Sequence, residues 1–186
     1  MKADLQTQLQ ERGLTVLGFC DGLCAQWPEL LNAAALLEDM SPQEADTLGA
    51  SMLRVKASAG QVLIAEGEVG DWMMLILGGT VDVVKQVPTD TVDAVSAAPA
   101  SPAISRVAVL RPGAAIGEMS MLDGEPRYAS CIALDDVEAA VLGRLAIARL
   151  IPEHPQVASK LLVKITQLMA QRLRNTSNQV IRLMKR

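Results

Sequence analysis

Aromatic side chains are scarce in this chain. Phe19, Trp27, Trp72 and Tyr128 are the only ones among its 186 residues. The core must therefore come from Leu, Val, Ile, Ala and Met. A stacking surface for single-stranded nucleic acid is disfavoured, because such surfaces offer a ring to each successive base. Basic charge is scarce too. A net charge of −4 opposes non-specific DNA binding, which needs enough Lys and Arg to displace the counterions of the duplex. Three cysteines, Cys20, Cys24 and Cys131, are too few and odd in number for a disulfide framework, and they fit a reducing cytoplasm. No window reaches the ~18 consecutive apolar residues of a membrane span. The polar start "MKADLQTQLQERG" lacks the apolar stretch of a signal peptide. The sole histidine, His154, sits in "PEHPQ" and reads as a capping or surface residue. Nucleophile elbow, P-loop and metal-ligand spacings are missing, so an enzyme is the least supported class and no metal or cofactor is expected.

What is present is globular. Half the residues are hydrophobic and 20% are charged, as in an ordinary folded protein. The length fits one domain with helical extensions, or at most two small domains, and is enough to bury a core without staples. Residues 3 to 12 read as a short polar helix ending at Gly13. The apolar, glycine-punctuated "LTVLGFCDGLCAQW" has no clear assignment. Residues 29 to 38, "ELLNAAALLE", favour helix. "MSPQEADTLGASML" carries a start signal: Ser41 as cap, Pro42 at the first helical position and Glu44 closing a capping box. That helix is expected to run to about residue 51. From residue 53 onward, short apolar runs alternate with Gly60, Gly67, Gly70, Gly78 and Gly79, which is strand-turn-strand punctuation. Residues 87 to 105 are rich in Pro, Ala, Ser and Thr and read as a long flexible loop. Strands resume at "RVAVL", "YASCIAL" and "VEAAVLG". Short strands at this spacing predict an antiparallel β-barrel or jelly roll.

After Arg144 the period is helical again. "LAIARLIPEH" forms a short helix broken at Pro152 and Pro155, and Pro155 opens a second one. Val157, Leu161, Ile165, Leu168 and Leu173 recur on one broad face, extended by Val180, Ile181 and Met184. About thirty residues would span roughly 45 Å, so part of that face should pack on another helix or subunit. The basic end, with Arg172, Arg174, Arg182, Lys185 and Arg186, reads as a solvated helix terminus whose cations suit the dipole.

One segment carries ligand chemistry. In "AAIGEMSMLDGEPRYAS", residues 114 to 130, Gly117 lets the backbone turn tightly and approach a ligand. Glu118 is an acceptor suited to a ribose hydroxyl. Arg127 is a planar donor fork suited to phosphate, behind the rigid Pro126. Ala129 and Ser130 are small enough to leave room beside a ligand. On chemistry alone the same Glu and Arg also suit an ordinary surface pair.

The wider pattern resembles the cyclic nucleotide-binding domain family of the catabolite activator protein, protein kinase A regulatory subunits and cyclic nucleotide-gated channels. The resemblance covers residues 53 to 143. It rests on the phosphate-binding cassette, here "IGEMSMLDGEPRYAS", and on the upstream "AGQVLIAEGEVGDWMMLILGGTVDVV" with Gly60, Gly67, Gly70, Asp71 and Gly79. It implies an α+β fold: an antiparallel barrel of the jelly-roll (double-stranded β-helix) kind, flanked by N-terminal helices and a long C-terminal helix. It implies residues 1–40 as a helical extension, 41–154 as the binding domain and 155–186 as a lid or dimerisation helix. By position, Glu118 should accept from the ribose 2′-hydroxyl and Arg127 should pair with the cyclic phosphate. Gly117 and Met119 should contribute backbone contacts near the ribose, and the amides of residues 119 to 121, Ser120 among them, should help Arg127. Tyr128, Ala129 and Ser130 should line the phosphate and base edge. Tyr128 departs from the small or hydroxyl residue common there, so either its ring flanks the base or it points away. The Thr that favours cGMP is absent, which leans the ligand toward cAMP. Leu161, Leu162, Lys164 and Ile165 are candidates to cap the base, and each equally suits the core or a solvated face.

The expected partners follow. They are a cyclic nucleotide, a homodimer mate through the C-terminal helix and an unidentified protein effector, with no membrane. Direct DNA binding is not expected, because no recognition helix follows the long helix before Arg186. Two rivals remain: a redox or metal sensor built on the three cysteines, and a structural module or receptor of another phosphate ligand such as a cyclic dinucleotide.

Overall fold

A computed structural model describes residues 4–87 and 103–184. In chain order the elements are α1 (Leu5–Glu11), β1 (Thr15–Phe19), α2 (Leu23–Gln26), α3 (Leu30–Ala33), α4 (Pro42–Gly49), β2 (Leu53–Ala57), β3 (Val62–Ile64), β4 (Trp72–Gly78), β5 (Val81–Val87), β6 (Ala103–Leu110), β7 (Ala115–Ile116), α5 (Glu118–Asp123), β8 (Ser130–Ala133), β9 (Val137–Gly143), α6 (Arg144–Glu153) and α7 (Pro155–Met184). One antiparallel sheet runs β1-β2-β9-β4-β7 and the other β3-β8-β5-β6. The predicted barrel takes the double-sheet form of a jelly roll.

Two cores organise the chain, and β4 belongs to both. Its sequence "WMMLILG" is a continuous apolar run, the pattern of a strand covered on both faces. Trp72, Met74 and Ile76 face the other sheet and meet Leu63, Ile64, Val81, Cys131 and Ala133. Met73, Leu75 and Leu77 point the other way, into a helical core with Leu30, Leu36, Leu48, Leu150, Leu161 and Ile165. The N-terminal segment is built into these layers: β1 pairs with β2 at the sheet edge, and Leu9 of α1 lies in the core between the sheets.

The capping box at α4 forms as expected. Glu44 N donates to Ser41 Oγ at 3.2 Å, and Ser41 N donates to Glu44 Oε2 at 2.7 Å. Ser41→Ala should therefore lower stability by about 1 kcal/mol, read as a shifted urea midpoint with unchanged slope. α4 ends at Gly49 rather than near residue 51.

Three expectations are corrected. Residues 29 to 38 do not form one helix. Only Leu30–Ala33 is helical and Ala34 turns extended, because Leu30, Ala34, Leu36 and Leu37 must all reach the same core, and packing overrides propensity. The loop predicted over 87 to 105 is too wide: Val87 pairs with Ala103, Gln86 with Ile104 and Lys85 with Ser105, so both hairpin arms extend into it. The remainder of that loop, 88–102, lies outside the described residues. Pro152 does not break its helix but sits in the last turn of α6, which ends at Glu153 with His154 as its C-cap.

Candidate functional site

Segment 114–130 leaves β7, turns at Gly117 (φ +80°) and enters α5 directly. After Gly124 the chain runs back along the turn that follows β3. Arg127 N donates to Glu68 O at 2.8 Å and Gly67 N donates to Arg127 O at 2.9 Å. These two bonds fix the backbone of Arg127 so that its side chain enters the protein, where the residue is only 4% exposed. Nη1 donates to Gly117 O at 2.6 Å and Nη2 to Trp72 O at 2.7 Å. The guanidinium stacks on the Trp72 ring, 4.4 Å from its centroid, and Arg12 approaches that ring at 5.7 Å. Two glycines make the space. A Cβ on Gly70 would collide with the guanidinium, and one on Gly117 would lie 2.7 Å from Nη1.

Burial pushes the Arg127 pKa down, to about 10, and the nearby charge of Arg12 adds to this. The group is still charged at pH 7. Nη1 and Nη2 are oriented by main-chain carbonyls, and the carboxylates of Asp71 and Glu118 offset part of the charge from nearby. A desolvated cation held in this way favours an anion as a further partner.

Glu118 opens α5 and is 1% exposed. Its Oε1 accepts from Arg172 Nη1 of α7, and Arg172 Nη2 donates to Ala115 O at 2.6 Å. Glu118 Oε2 is buried with no hydrogen-bond partner among the described residues, and the same holds for Trp72 Nε1. Native proteins leave few such atoms, and both lie in this segment's surroundings. The far end of α5 is held by Arg144, whose Nε donates to Met121 O at 2.7 Å and whose Nη2 donates to Ser120 O at 3.3 Å. Two hollows elsewhere lack this chemistry. One of about 340 Å³ lined by Lys56, Asp136 and Glu138, and one of about 350 Å³ lined by Thr47, Glu153 and His154, contain none of the buried atoms without a partner.

The remaining predicted residues take different places. Met119 is exposed on the outer side of α5, and Ser120 is buried. Ser130 Oγ accepts from Glu66 N at 3.0 Å, which ties β8 to the turn beside Arg127, and Ala129 precedes it half-buried. Tyr128 is 61% exposed. Lys85 Nζ lies 3.9 Å from its ring centroid and donates to its carbonyl at 2.6 Å, so the ring faces solvent under a cation.

The cap candidates take the core or ion-paired places that they also suited. Leu161 and Ile165 are fully buried in the helical core, and Leu162 packs against it. Lys164 pairs with Glu38 at 2.9 Å and Asp39 at 2.6 Å, away from this segment. Arg172, read as part of a solvated basic end, instead reaches Glu118. Its signal was positional: residues 161, 165, 168 and 172 step by four, three and four along one helix face, so Arg172 is a charge placed on the apolar stripe. Trp72 and Gly70 were read only as part of a hairpin. The cysteines do not resemble ligands: burial raises Cys20 and Cys24 to about 11 and Cys131 to about 12, which keeps them as protonated thiols.

Comparisons with known proteins bear on the family and the fold. The family model for the cyclic nucleotide-binding domain matches residues 54–154, more than half of the chain. The chain is 26% identical over 150 residues to a CRP-like cAMP-activated global transcriptional regulator of Mycobacterium tuberculosis, covering 81% of this chain and 60% of that protein. It is 31% identical over 121 residues to a cAMP-dependent protein kinase regulatory subunit of Aspergillus niger, covering 65% of this chain and 26% of that protein. A solved cyclic nucleotide-binding domain from Methylobacillus flagellatus superimposes with a TM-score of 0.78 at 32% identity, over 97% of this chain and 95% of that one. The chain thus spans less than two thirds of the length of either curated relative.

Proposed function

We propose a function from one premise: the chain belongs to the cyclic nucleotide-binding domain family. On that premise it is a non-catalytic receptor for a cyclic nucleotide, cAMP in preference to cGMP. The observation that carries this reading is the buried Arg127 cation, hydrogen-bonded to the carbonyls of Gly117 and Trp72, beside a buried Glu118 oxygen that lacks a donor among the described residues. Phosphate supplies the anion that Arg127 demands. A ribose 2′-hydroxyl supplies the donor that Glu118 Oε2 demands. A single ligand carrying both groups answers both. The preference for cAMP is supported by Tyr128, which stands where a cGMP-favouring Thr would, and by relatives whose names specify cAMP.

Output runs through α7. From Gln171 to Met184 every described residue is exposed, and Leu173, Val180, Ile181, Leu183 and Met184 lie among them. That surface suits a second copy of the chain or a protein effector. Sedimentation should show a dimer with or without ligand; a monomer in both states at high concentration rules the dimer out. The net charge of −4 argues against DNA as the partner. No helix among the described residues is long and apolar enough to cross a membrane. The free thiols suit the cytoplasm.

The test is calorimetric titration of nucleotide-stripped protein with cAMP and cGMP. Micromolar or tighter binding supports the reading. No binding of either by folded protein points to another phosphate ligand or a structural module. Glu118→Ala should weaken ribonucleotide binding by roughly tenfold and leave the 2′-deoxy analogue almost unaffected. Equal affinity of wild-type protein for ribose and deoxyribose ligands removes Glu118 from this role.

A further inference from the structure

The N-terminal segment lies outside residues 54–154, which the family model matches, yet it reaches the site. We propose that Arg12, which follows α1, is a second cation of the anion site and raises ligand affinity through the charge it adds near Arg127, without touching the ligand. This rests on the reading of Arg127 as the phosphate partner.

The chain around Arg12 holds it in place. Leu9 and Leu14, on either side of it, are buried in the core between the sheets. Leu14 N donates to Leu9 O at 3.0 Å and Gly13 N to Gln10 O at 2.8 Å, and Gln61 Nε2 donates to Arg12 O at 3.3 Å. The side chain of Arg12 then meets the Glu68 carboxylate and the Trp72 ring, with Cζ 5.7 Å from the centroid. Both partners also hold Arg127. Glu68 O accepts from Arg127 N at 2.8 Å, and the Arg127 guanidinium lies over the same Trp72 ring at 4.4 Å. The two cations are therefore at most about 10 Å apart, roughly one Debye length at 0.1 M salt.

Like charges at this separation repel. After burial, Arg12 is the next cause that pushes the Arg127 pKa down. An anion bound at Arg127 reverses the sign of the effect. It relieves the repulsion and is attracted by both cations, across an interior that screens charge less than water does. Glu68 offsets Arg12 only in part, because its carboxylate is the more exposed partner of the pair and water screens it more. An attraction of this kind needs charge and not a planar fork. Arg12→Lys would keep it, whereas Arg127→Lys would lose the fork that grips the phosphate. A purely structural clasp between Arg12 and Glu68 behaves differently, since it is broken equally from either end.

Calorimetric titration with cAMP and 2′-deoxy-cAMP compares wild type, Arg12→Met, Arg12→Lys and Glu68→Gln. Both side chains are partly exposed, so the variants should fold, which urea unfolding checks. Arg12→Met should weaken both ligands alike, by about threefold to tenfold, since the phosphate is common to both. Arg12→Lys should stay within about twofold of wild type. Glu68→Gln should bind as tightly as wild type or more tightly, because it removes an anion and leaves the cation. The gap between wild type and Arg12→Met should narrow as salt is raised from about 0.05 M to about 0.5 M. Equal weakening in Arg12→Met and Glu68→Gln makes the pair a structural clasp and overturns the proposal. Arg12→Lys as weak as Arg12→Met, a gap that salt leaves unchanged, or unaltered affinity in Arg12→Met also overturns it. Wild type that binds neither ligand defeats the proposed function itself, whereas wild type that binds and ignores position 12 defeats only the role of Arg12.

Discussion

Arg127→Ala is expected to cut cyclic nucleotide affinity by roughly tenfold to more than a hundredfold, because a charge-assisted contact in a desolvated site is worth about 1.5–3 kcal/mol or more. The structure adds a second expectation that separates a ligand residue from a structural one. Removing Arg127 takes a donor from Trp72 O and from Gly117 O, although Gly117 O keeps the Met121 amide at 3.4 Å; a carbonyl left with no donor and out of reach of water costs about 1–3 kcal/mol. It also removes a cation whose burial is unfavourable, as its lowered pKa of about 10 records. The two effects oppose each other. The variant should therefore lose binding far out of proportion to any loss of stability. Calorimetry beside urea unfolding checks this, with Arg127→Lys as partial rescue because the charge survives and the planar fork does not. A variant that unfolds readily but still binds cyclic nucleotide would make Arg127 a structural residue.

Trp72→Ala should be the most destabilising single change at the site. The ring is fully buried between the sheets, and truncating such a residue costs about 3–5 kcal/mol. That is a large share of the roughly 5–15 kcal/mol by which domains are stable. Trp72→Phe is the informative companion. It keeps a ring under Arg127 and deletes Nε1–H, which is buried without a partner, so much of its packing loss is offset. The expected order of urea midpoints is wild type at or above Trp72→Phe, with Trp72→Ala far below and slopes unchanged. Trp72→Phe should retain ligand binding. Equal losses for both variants would mean that the indole N–H is satisfied and matters.

Much of the architecture could be read locally. The capping box at Ser41 and Glu44, the continuous apolar run of β4, the glycine punctuation of the hairpins and the long period of α7 each express a short-range rule. Each survives in the fold because burial agrees with it. The failures are equally local in cause. "ELLNAAALLE" has helical propensity throughout, yet a core that takes both Leu36 and Leu37 breaks it. The arms of the β5–β6 hairpin take in Val87 and residues 103–105 at the two ends of the predicted loop, because a paired strand across the sheet outweighs weak local preference.

For the site, spacing and resemblance alone were enough to single out Gly117, Glu118 and Arg127 as a candidate constellation, since a donor fork and an acceptor nine residues apart are properties of the chain. Whether either group faces a ligand is not such a property. Burial of both, the carbonyl cradle from Trp72 and Gly117, and the outward ring of Tyr128 under Lys85 depend on which strands become neighbours. The hold of Arg172 on Glu118 joins residues 54 apart in sequence, and the pairing of Lys164 with Glu38 spans 126. No local pattern encodes such separations. The sequence by itself determined the elements and the chemical inventory, because those follow from side-chain type and period. Only the tertiary structure decided which charges meet, because desolvation and distance exist only once the sheets and α7 have packed.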